Sequence, residues 1–549
     1  MKSKLILTAA ILVGGAFSTF AQTHLEGEEY YKADQLNNAY ELLQRNMNNP
    51  GTDKAVSNYY LGLISLRAKK LDDAKKYFEQ GIADNPNYGY NYVGLGQLSL
   101  MNGDKKAAEQ YFKDAKKNSK KDASLSIAIA RAYYNVDPVA YAKEIEKNID
   151  QARKDSPKDG LAATNTDIYL FEGDILNDKQ DWGGAANKYE MATTYNKNAT
   201  EAYVKYANLF TQVNQDYAIN MLNKLLQVNP QSALGQRELA NAYYNKGDFK
   251  NAANAYAKYV QNPNHFKQDE DRYAFLLFYG QDYKGGYDYA SKLFKENPSN
   301  FTAQRYQFMN AAQLPEMQDN LLPMAEALYT AHKSNSNNKF APIDYILIGE
   351  ELNKANRPDE VKALFEEAIA DTPDNPEYYR QLGSAYINEK DYAKGADLYL
   401  QAVEVAATPG FNDIMQAANY SYLAGANLKA TDAQTGTKYL NQATTLAEKA
   451  KGVAPKDPRP YKLLGDISIQ TVPDSQVTTV AAPFYLQAVE MIDNSPNPAS
   501  FANYSKSLYN YLGNYYLDQK DNGAAKMYFQ KLLELDPTNE SVKKVLNSL

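Results

Sequence analysis

Apolar residues recur three and four positions apart along most of this chain, with polar residues between them. That spacing is the period of a helix and places the apolar side chains on one face. No stretch sustains the strict alternation of a half-buried strand. The pattern predicts helices throughout, and the helices themselves repeat. Leu61-Gly62, Ala74, Phe78, Gly81 and Pro86 form one set, and 34 positions on stand Leu95-Gly96, Ala108, Phe112 and Ala115. Tyr345, Ile348-Gly349, Leu352, Phe365, Ala368 and Pro373 are followed at the same step by Tyr379, Leu382-Gly383, Tyr386, Tyr399 and Ala402. Tyr509, Leu512-Gly513, Tyr516, Ala525, Phe529 and Pro537 repeat the set near the end. Small residues such as Gly96 and Ala108 allow two helix backbones to approach, while Tyr92, Leu95 and Phe112 fill the gaps between neighbours. One helix pair cannot bury its own apolar face, so the pairs must stack.

The turns carry a second periodic signal. An aspartate stands eight residues after Gly96, Gly173, Ala240, Ala274, Gly383 and Gly513: Asp104, Asp181, Asp248, Asp282, Asp391 and Asp521. Aspartate accepts hydrogen bonds from the free N–H groups at a helix start, and its charge suits the positive end of the helix dipole. These six are expected to cap the second helix of each pair.

The recurring positions resemble the tetratricopeptide repeat (TPR), whose pattern is W-x2-L-G-x2-Y…A-x3-F…P. Tyrosine stands in the tryptophan position at Tyr92, Tyr345, Tyr379, Tyr461 and Tyr509. The resemblance covers nearly all of residues 24–549 and is clearest at 55–122, 166–298, 342–404 and 506–537. It implies an all-α, helix-turn-helix superhelical solenoid of about 13 repeats. In that family the first helix of each repeat lines a concave groove where peptides dock. The family's groove positions fall here on Arg237, Asn241 and Tyr244, on Ile127, Arg131 and Tyr134, and on Arg380, Ser384 and Ile387. Arg237 with Asn241 is similar to half of the basic-plus-amide clamp by which some TPR proteins hold a peptide carboxylate. The groove expected to bind a partner is therefore Arg237, Asn241 and Tyr244, with Arg131 and Arg380.

Breaks in the period suggest an organisation. Residues 22–335 read as an N-terminal array and 336–549 as a C-terminal array, divided near the polar stretch 331–342, with a second break at 406–412. Residues 136–157 and 471–480 read as insertions. Residues 540–549 read as a capping helix whose Val542, Val545, Leu546 and Leu549 cover the last repeat. At the start, Lys2 and Lys4 precede an apolar stretch from Leu5 to Phe17, and Thr19-Phe20-Ala21 forms a small-x-small site before Gln22. This reads as an export signal of bacterial style over residues 1–21, cleaved near Ala21. No other apolar run is long enough to span a bilayer. A periplasmic or secreted product is expected.

Composition narrows the chemistry. Against 59 Lys+Arg stand 66 Asp+Glu, a net charge of −7, which argues against binding nucleic acid through phosphate neutralisation. With no cysteine, disulfides, thiolate metal sites, cysteine nucleophiles and a lipid-modified cysteine are excluded. His24, His265 and His332 are far apart and form no metal-binding or base-nucleophile motif, and His265 reads as a solvated structural residue. Gly280 to Gly286 lacks the ending of a phosphate-binding loop, and Asp269-Glu270-Asp271 lacks calcium-ligand spacing. The expectation is a non-catalytic exported scaffold without cofactor or metal, binding a protein or peptide through its concave face. The alternative is a carbohydrate-binding outer-membrane component resembling the SusD-like family, against which the absence of cysteine and the single Trp182 count.

Overall fold

The computed structural model describes residues 23–120, 122–156 and 165–549. The export signal expected at 1–21 lies outside them. Every regular element among the described residues is a helix, α or 3-10. The chain forms two compact units, divided in sequence after Asn310.

The first unit is a succession of helix pairs: α1 (His24–Lys32) with α2 (Leu36–Asn46), α3 (Lys54–Arg67) with α4 (Leu71–Asp84), and α5 (Tyr90–Met101) with α6 (Lys105–Asn118). There follow α7 (Ala123–Val136) with α8 (Ala142–Asp155), α9 (Thr166–Asp178) with α10 (Trp182–Tyr195), and α11 (Thr200–Phe210) with α12 (Gln215–Val228). The unit continues through α13 (Ala233–Asn245) with α14 (Phe249–Tyr259) and α15 (Glu270–Tyr279) with α16 (Tyr283–Glu296), up to α17 (Phe301–Ala311). The second unit contains α18 (Leu321–Ser334), α19 (Pro342–Lys354) with α20 (Pro358–Asp371), α21 (Pro376–Asn388) with α22 (Tyr392–Val405), and α23 (Phe411–Leu428) with α24 (Ala433–Val453). Then come α25 (Pro458–Thr471), the single turn α26 (Val477–Val480), α27 (Ala482–Asp493), α28 (Ala502–Asp518) with α29 (Asn522–Leu535), and α30 (Glu540–Ser548). The sequence division expected at 335/336 falls between α18 and α19.

One contact explains the glycines. Gly62 faces Phe78, Gly96 faces Phe112, Gly173 faces Tyr189, Gly383 faces Tyr399 and Gly513 faces Phe529, each ring sixteen residues on. A Cβ at Gly62 would lie 2.3 Å from the Phe78 ring, and one at Gly94 of the next pair 2.2 Å from the same ring. Phe78, fully buried, is thus clasped by two first helices and locks successive pairs together. The six aspartates cap their helices as expected, accepting from backbone N–H groups at 2.9–3.1 Å. The residue before the cap turns the chain in the left-handed region: Gln180, Gln281, Lys390 and Lys520 have φ between 60° and 68°, and Gly103 and Gly247 have φ of 79° and 78°.

Two sequence readings are corrected. Residues 136–157 are not an insertion, because α8 occupies most of them and packs on α7 through Ile145, Ile149 and Ala152. The polar stretch 331–342 is not all loop: its first residues end α18, and His332 is buried with its ring stacked 4.0 Å from that of Phe340. The insertion at 471–480 is present, as a 3-10 turn at Asp474–Gln476 and α26. α30 caps the second unit with Val542 buried and Val545, Leu546 and Leu549 packed beside it.

The first unit closes on itself. α1 packs against α11 and α13, and Tyr30 meets Phe266 edge to face at 5.5 Å. Around that contact Gln35 donates to Glu238 at 2.7 Å, Arg45 to the His265 carbonyl at 3.0 Å, and the Leu234 N–H to Glu26 at 3.0 Å. Glu26 thereby serves the N-terminal end of α13 from a helix two hundred residues away in sequence. Burial pushes the carboxyls of both Glu26 and Glu29 up, and Glu29 Oε2 is buried without a hydrogen-bond partner.

Candidate functional site: the cavity inside the first unit

Closure turns the inner faces of the first helices toward one another. Between them lies a cavity of about 430 Å³, within the range of small-ligand sites, roughly 300–1,000 Å³. Tyr31 from α1, Tyr59 and Tyr60 from α3, Tyr88 from the turn between α4 and α5, and Tyr90 from α5 line it. Tyr88 and Tyr90 stack at 4.8 Å, and Tyr59 meets both at near right angles. These edge-to-face and stacked arrangements suit the ring quadrupoles and hold the wall rigid.

At the same end the charges are mostly negative. Glu28, Asp122 and Asp167 line the cavity with one ammonium, Lys32. Lys32 lies 2.9 Å from Glu28, 3.9 Å from Glu201 and 4.0 Å from Asp167. Burial disfavours its charge, yet Asp167, Glu28 and Glu201 together hold its pKa above the usual lysine value. Asp167 is likewise opposed by burial and held below the carboxylate range by Lys32, Ser124 and Arg131. Tyr60 donates to Glu28 at 2.9 Å.

At the other end five charges alternate in sign across five first-helix segments. Arg67 reaches Asp34 at 3.0 Å; Lys205 reaches Asp34 and Asp174, each at 2.7 Å; Arg131 reaches Asp174 at 2.7 Å. Tyr189 also donates to Asp174, at 2.9 Å, and the Arg131 guanidinium lies 4.6 Å over the Phe171 ring. Burial works against the Asp174 charge, but Arg131 and Lys205 hold its pKa below the ordinary value. Beyond this belt opens a second depression of about 490 Å³ that shares Asp34, Arg67, Arg131, Asn135, Asp174 and Lys205 with the first.

Models of the tetratricopeptide repeat match residues 65–132, 215–265, 347–410 and 507–539. The chain is a tetratricopeptide-repeat protein. No curated protein matches its sequence. Similar solved structures include the C-terminal part of a TPR repeat-containing protein from Cytophaga hutchinsonii, at 18% identity over 50% of this chain and 98% of that one, with a TM-score of 0.41. Yeast Tom70 is similar at 16% identity over 96% and 98% of the two chains, with a TM-score of 0.29. A human IFIT1 dimer with m7Gppp-AAAA is similar at 11% identity over 86% and 98%, with a TM-score of 0.32.

Within this TPR protein four of the five residues expected in the groove belong to the first unit, where they have separate partners, and the fifth belongs to the second unit. Arg131 belongs to the cavity. Arg237 donates to Asp269 at 2.8 Å and to Gln35 at 3.2 Å, so it sits at the closure of the first unit. Asn241, on the same helix, donates to Glu238 at 3.3 Å. Tyr244, 36% exposed, lies under the Arg272 guanidinium at 4.8 Å and against Phe249 and Phe275. Arg380 lies in the second unit, held by Glu377 at 2.6 Å and Asp413 at 3.2 Å. Each arginine of the set already has a carboxylate partner within the chain. His265 is more engaged than a solvated residue, with Nδ1 2.7 Å from the Asn262 carbonyl and Nε2 3.2 Å from Glu270.

Sequence reasoning missed Asp34, Arg67, Asp174 and Lys205. Asp34, Arg67 and Asp174 stand at different offsets from Gly27, Gly62 and Gly173, and Lys205 lies on a helix without glycine, so no period exposes them. A weaker signal was present: Lys205 and Arg131 are lone charges inside the apolar runs AYVKYA and IAIARAYY. In the second unit His332, Glu367 and Asp371 bring one ligand atom each within 4.8 Å of one another. All three are already engaged: His332 with the Asn338 carbonyl and Glu367, Glu367 with Tyr329 and Lys333, Asp371 with Tyr345. The cluster is a hydrogen-bond hub tying α18 to α20 and α19. No helix among the described residues is long and apolar enough to cross a membrane.

Proposed function

We propose that this TPR protein is a non-catalytic scaffold, exported by a bacterial cell to the periplasm or beyond, that holds a protein or peptide partner on the inner faces of its first helices. One observation carries the reading. The first helices of the first unit gather aromatic, amide and charged side chains around a cavity of about 430 Å³ that the described residues leave open. Such a concave site with a few convergent polar groups is the usual form of a binding pocket. The basic residues of the expected groove serve it differently. A partner carboxylate reaching Arg237 or Arg380 has to displace Asp269 or Asp413, so charge at those positions orders the scaffold more than it attracts an anion. Tyr244 and Asn241 complete the candidate stripe on α13.

The test is crosslinked pull-down from the cell envelope with mass spectrometry, followed by affinity measurement with purified partner. Asn135, exposed and lining both depressions, is the position to block. Asn135→Trp is expected to lower partner affinity by about tenfold or more with an unchanged melting curve. Arg237→Ala/Asn241→Ala separates the stripe from the cavity. Affinity unmoved by either variant rules out the inner face of the first unit as the docking surface.

A further inference from the structure

The cavity offers much to a cation and little to an anion. Each cation lining it, Lys32, Arg67, Arg131 and Lys205, already lies within 3.0 Å of a carboxylate of the chain. An incoming anion therefore finds no unpaired positive charge among the described residues that line the cavity. Several neutral polar groups and the aromatic faces are in the opposite condition. Gln97 is 5% exposed and lines the cavity, and its amide has no hydrogen-bond partner among the described residues. Tyr59, 6% exposed, lines it with its hydroxyl likewise unpartnered, as are the hydroxyls of Tyr31 and Tyr88. Among the described residues no lysine or arginine lies over any of the five tyrosine rings, although such pairs occur elsewhere in the first unit, as at Phe171 and Tyr244. A buried polar side chain without a partner is uncommon unless a ligand or water completes it.

We propose that the tyrosine end of this cavity binds an organic cation, an alkylammonium group held over the tyrosine rings within reach of Glu28, Asp122 and Asp167. Ring quadrupoles attract cations to their faces, more strongly where water is excluded. Three carboxylates against the single Lys32 leave this end net negative, and the Gln97 carbonyl and tyrosine oxygens accept from N–H donors. The titration of the rings agrees in direction: burial, then Tyr59 and the acids Glu28, Asp53 and Asp122 raise Tyr88, and burial, then Asp122, Tyr88 and Asp167 raise Tyr90. The ammonium comes either from a free amine or from a lysine side chain of the partner. In the second case the inference rests on the scaffold reading above and identifies what that partner inserts.

The experiment is calorimetric titration of the full chain with choline and n-butylammonium, with the neutral 3,3-dimethylbutan-1-ol and n-butanol as shape-matched controls. The ammonium probes are expected to bind at least about tenfold more tightly than the neutral ones, and added salt is expected to weaken them. Tyr88→Leu and Gln97→Leu are expected to lower choline affinity severalfold. Asp359→Asn, exposed in the second unit, is expected to leave it unchanged. Equal binding of the neutral probes overturns the proposal on wild-type protein alone, even if a variant fails to fold. Displacement of choline by a neutral hexose at equal concentration also overturns it, in favour of a sugar. A capped Gly-Lys-Gly peptide separates the sources: competition with choline assigns the site to a lysine side chain, and its absence to a free amine. A partner whose binding choline and Tyr88→Leu both leave intact rules out the partner's lysine as the source and spares the scaffold. Choline binding with no partner captured does the reverse.

Discussion

Where Gly62 meets Phe78, the same contact returns between paired helices in both units, sixteen residues apart each time. Where Asp34 meets Lys205, the contact occurs once, between residues 171 positions apart. Both regions are built from the same first helices. The helix-pair seam is a matter of shape: a side chain is removed so that a ring can enter, and repeats in both units use it. The inner wall is a matter of charge and hydrogen bonding, and each repeat contributes something different. The comparison separates what makes this chain a solenoid from what makes its cavity individual.

The seam is expected to be the more sensitive region. Phe78→Ala empties a fully buried position clasped by Gly62 and Gly94, and about 3–5 kcal/mol of stability is expected to go. Urea unfolding followed by hydrogen exchange of α3 to α5 reads the loss; a change below about 1 kcal/mol contradicts the clasp. Asp174→Ala tests the wall. It leaves Arg131 and Lys205, the latter 11% exposed at its side chain, with one carboxylate fewer. Removing one partner of a buried pair costs about 3 kcal/mol, and here the loss is expected to be confined to the first unit. Loss of equal size in the second unit breaks that assignment.

Gly383→Leu carries the seam test into the second unit. A Cβ there lies 2.9 Å from the Tyr399 ring, and overpacking of this kind costs roughly 1–3 kcal/mol. An unchanged melting curve and unchanged limited proteolysis place Gly383 outside the contact.

Titration distinguishes the closure of the first unit from the charge belt. Burial holds the Glu26 and Glu29 carboxyls above the usual carboxylate range. In the unfolded chain they release protons first, so the unfolded state binds fewer protons through that window and stability falls as pH rises. Their contribution is complete below about pH 4.5 and declines into the neutral range. Arg131 and Lys205 hold Asp174 below the ordinary aspartate value against its burial, so its contribution is present above that ordinary value and is lost as pH falls through the folded one. Melting temperatures between pH 5 and 8 are expected to fall less steeply in Glu29→Gln than in wild type, and equal slopes remove Glu29 from the account.

The smallest effect belongs to an exposed pair. Lys543 lies 2.8 Å from Glu540, which is 73% exposed at its side chain, and Lys543→Ala is expected to change stability by less than about 0.5 kcal/mol. A larger loss shows that exposed and enclosed pairs in this protein do not differ as their surroundings require.

The repeat was legible because its physics is local. Helix period, the glycine that admits a ring, and the aspartate before a second helix act over a few residues or one helix pair, so one chain displays them many times. The capping role of Val542, Val545, Leu546 and Leu549 was legible for the same reason, as an apolar stripe on a short polar helix. Where the period blurred, as at 136–157, polar residues on the outer face of α8 hid a regular second helix. The sequence alone thus determined the helix class, the pairing of neighbours and the turns. Only the tertiary structure decided that α1 returns to α11 and α13, that Arg237 fastens this closure, and that Asp34, Arg67, Arg131, Asp174 and Lys205 meet in one belt. Closure depends on small rotations summed over successive repeats, and no single residue encodes that sum.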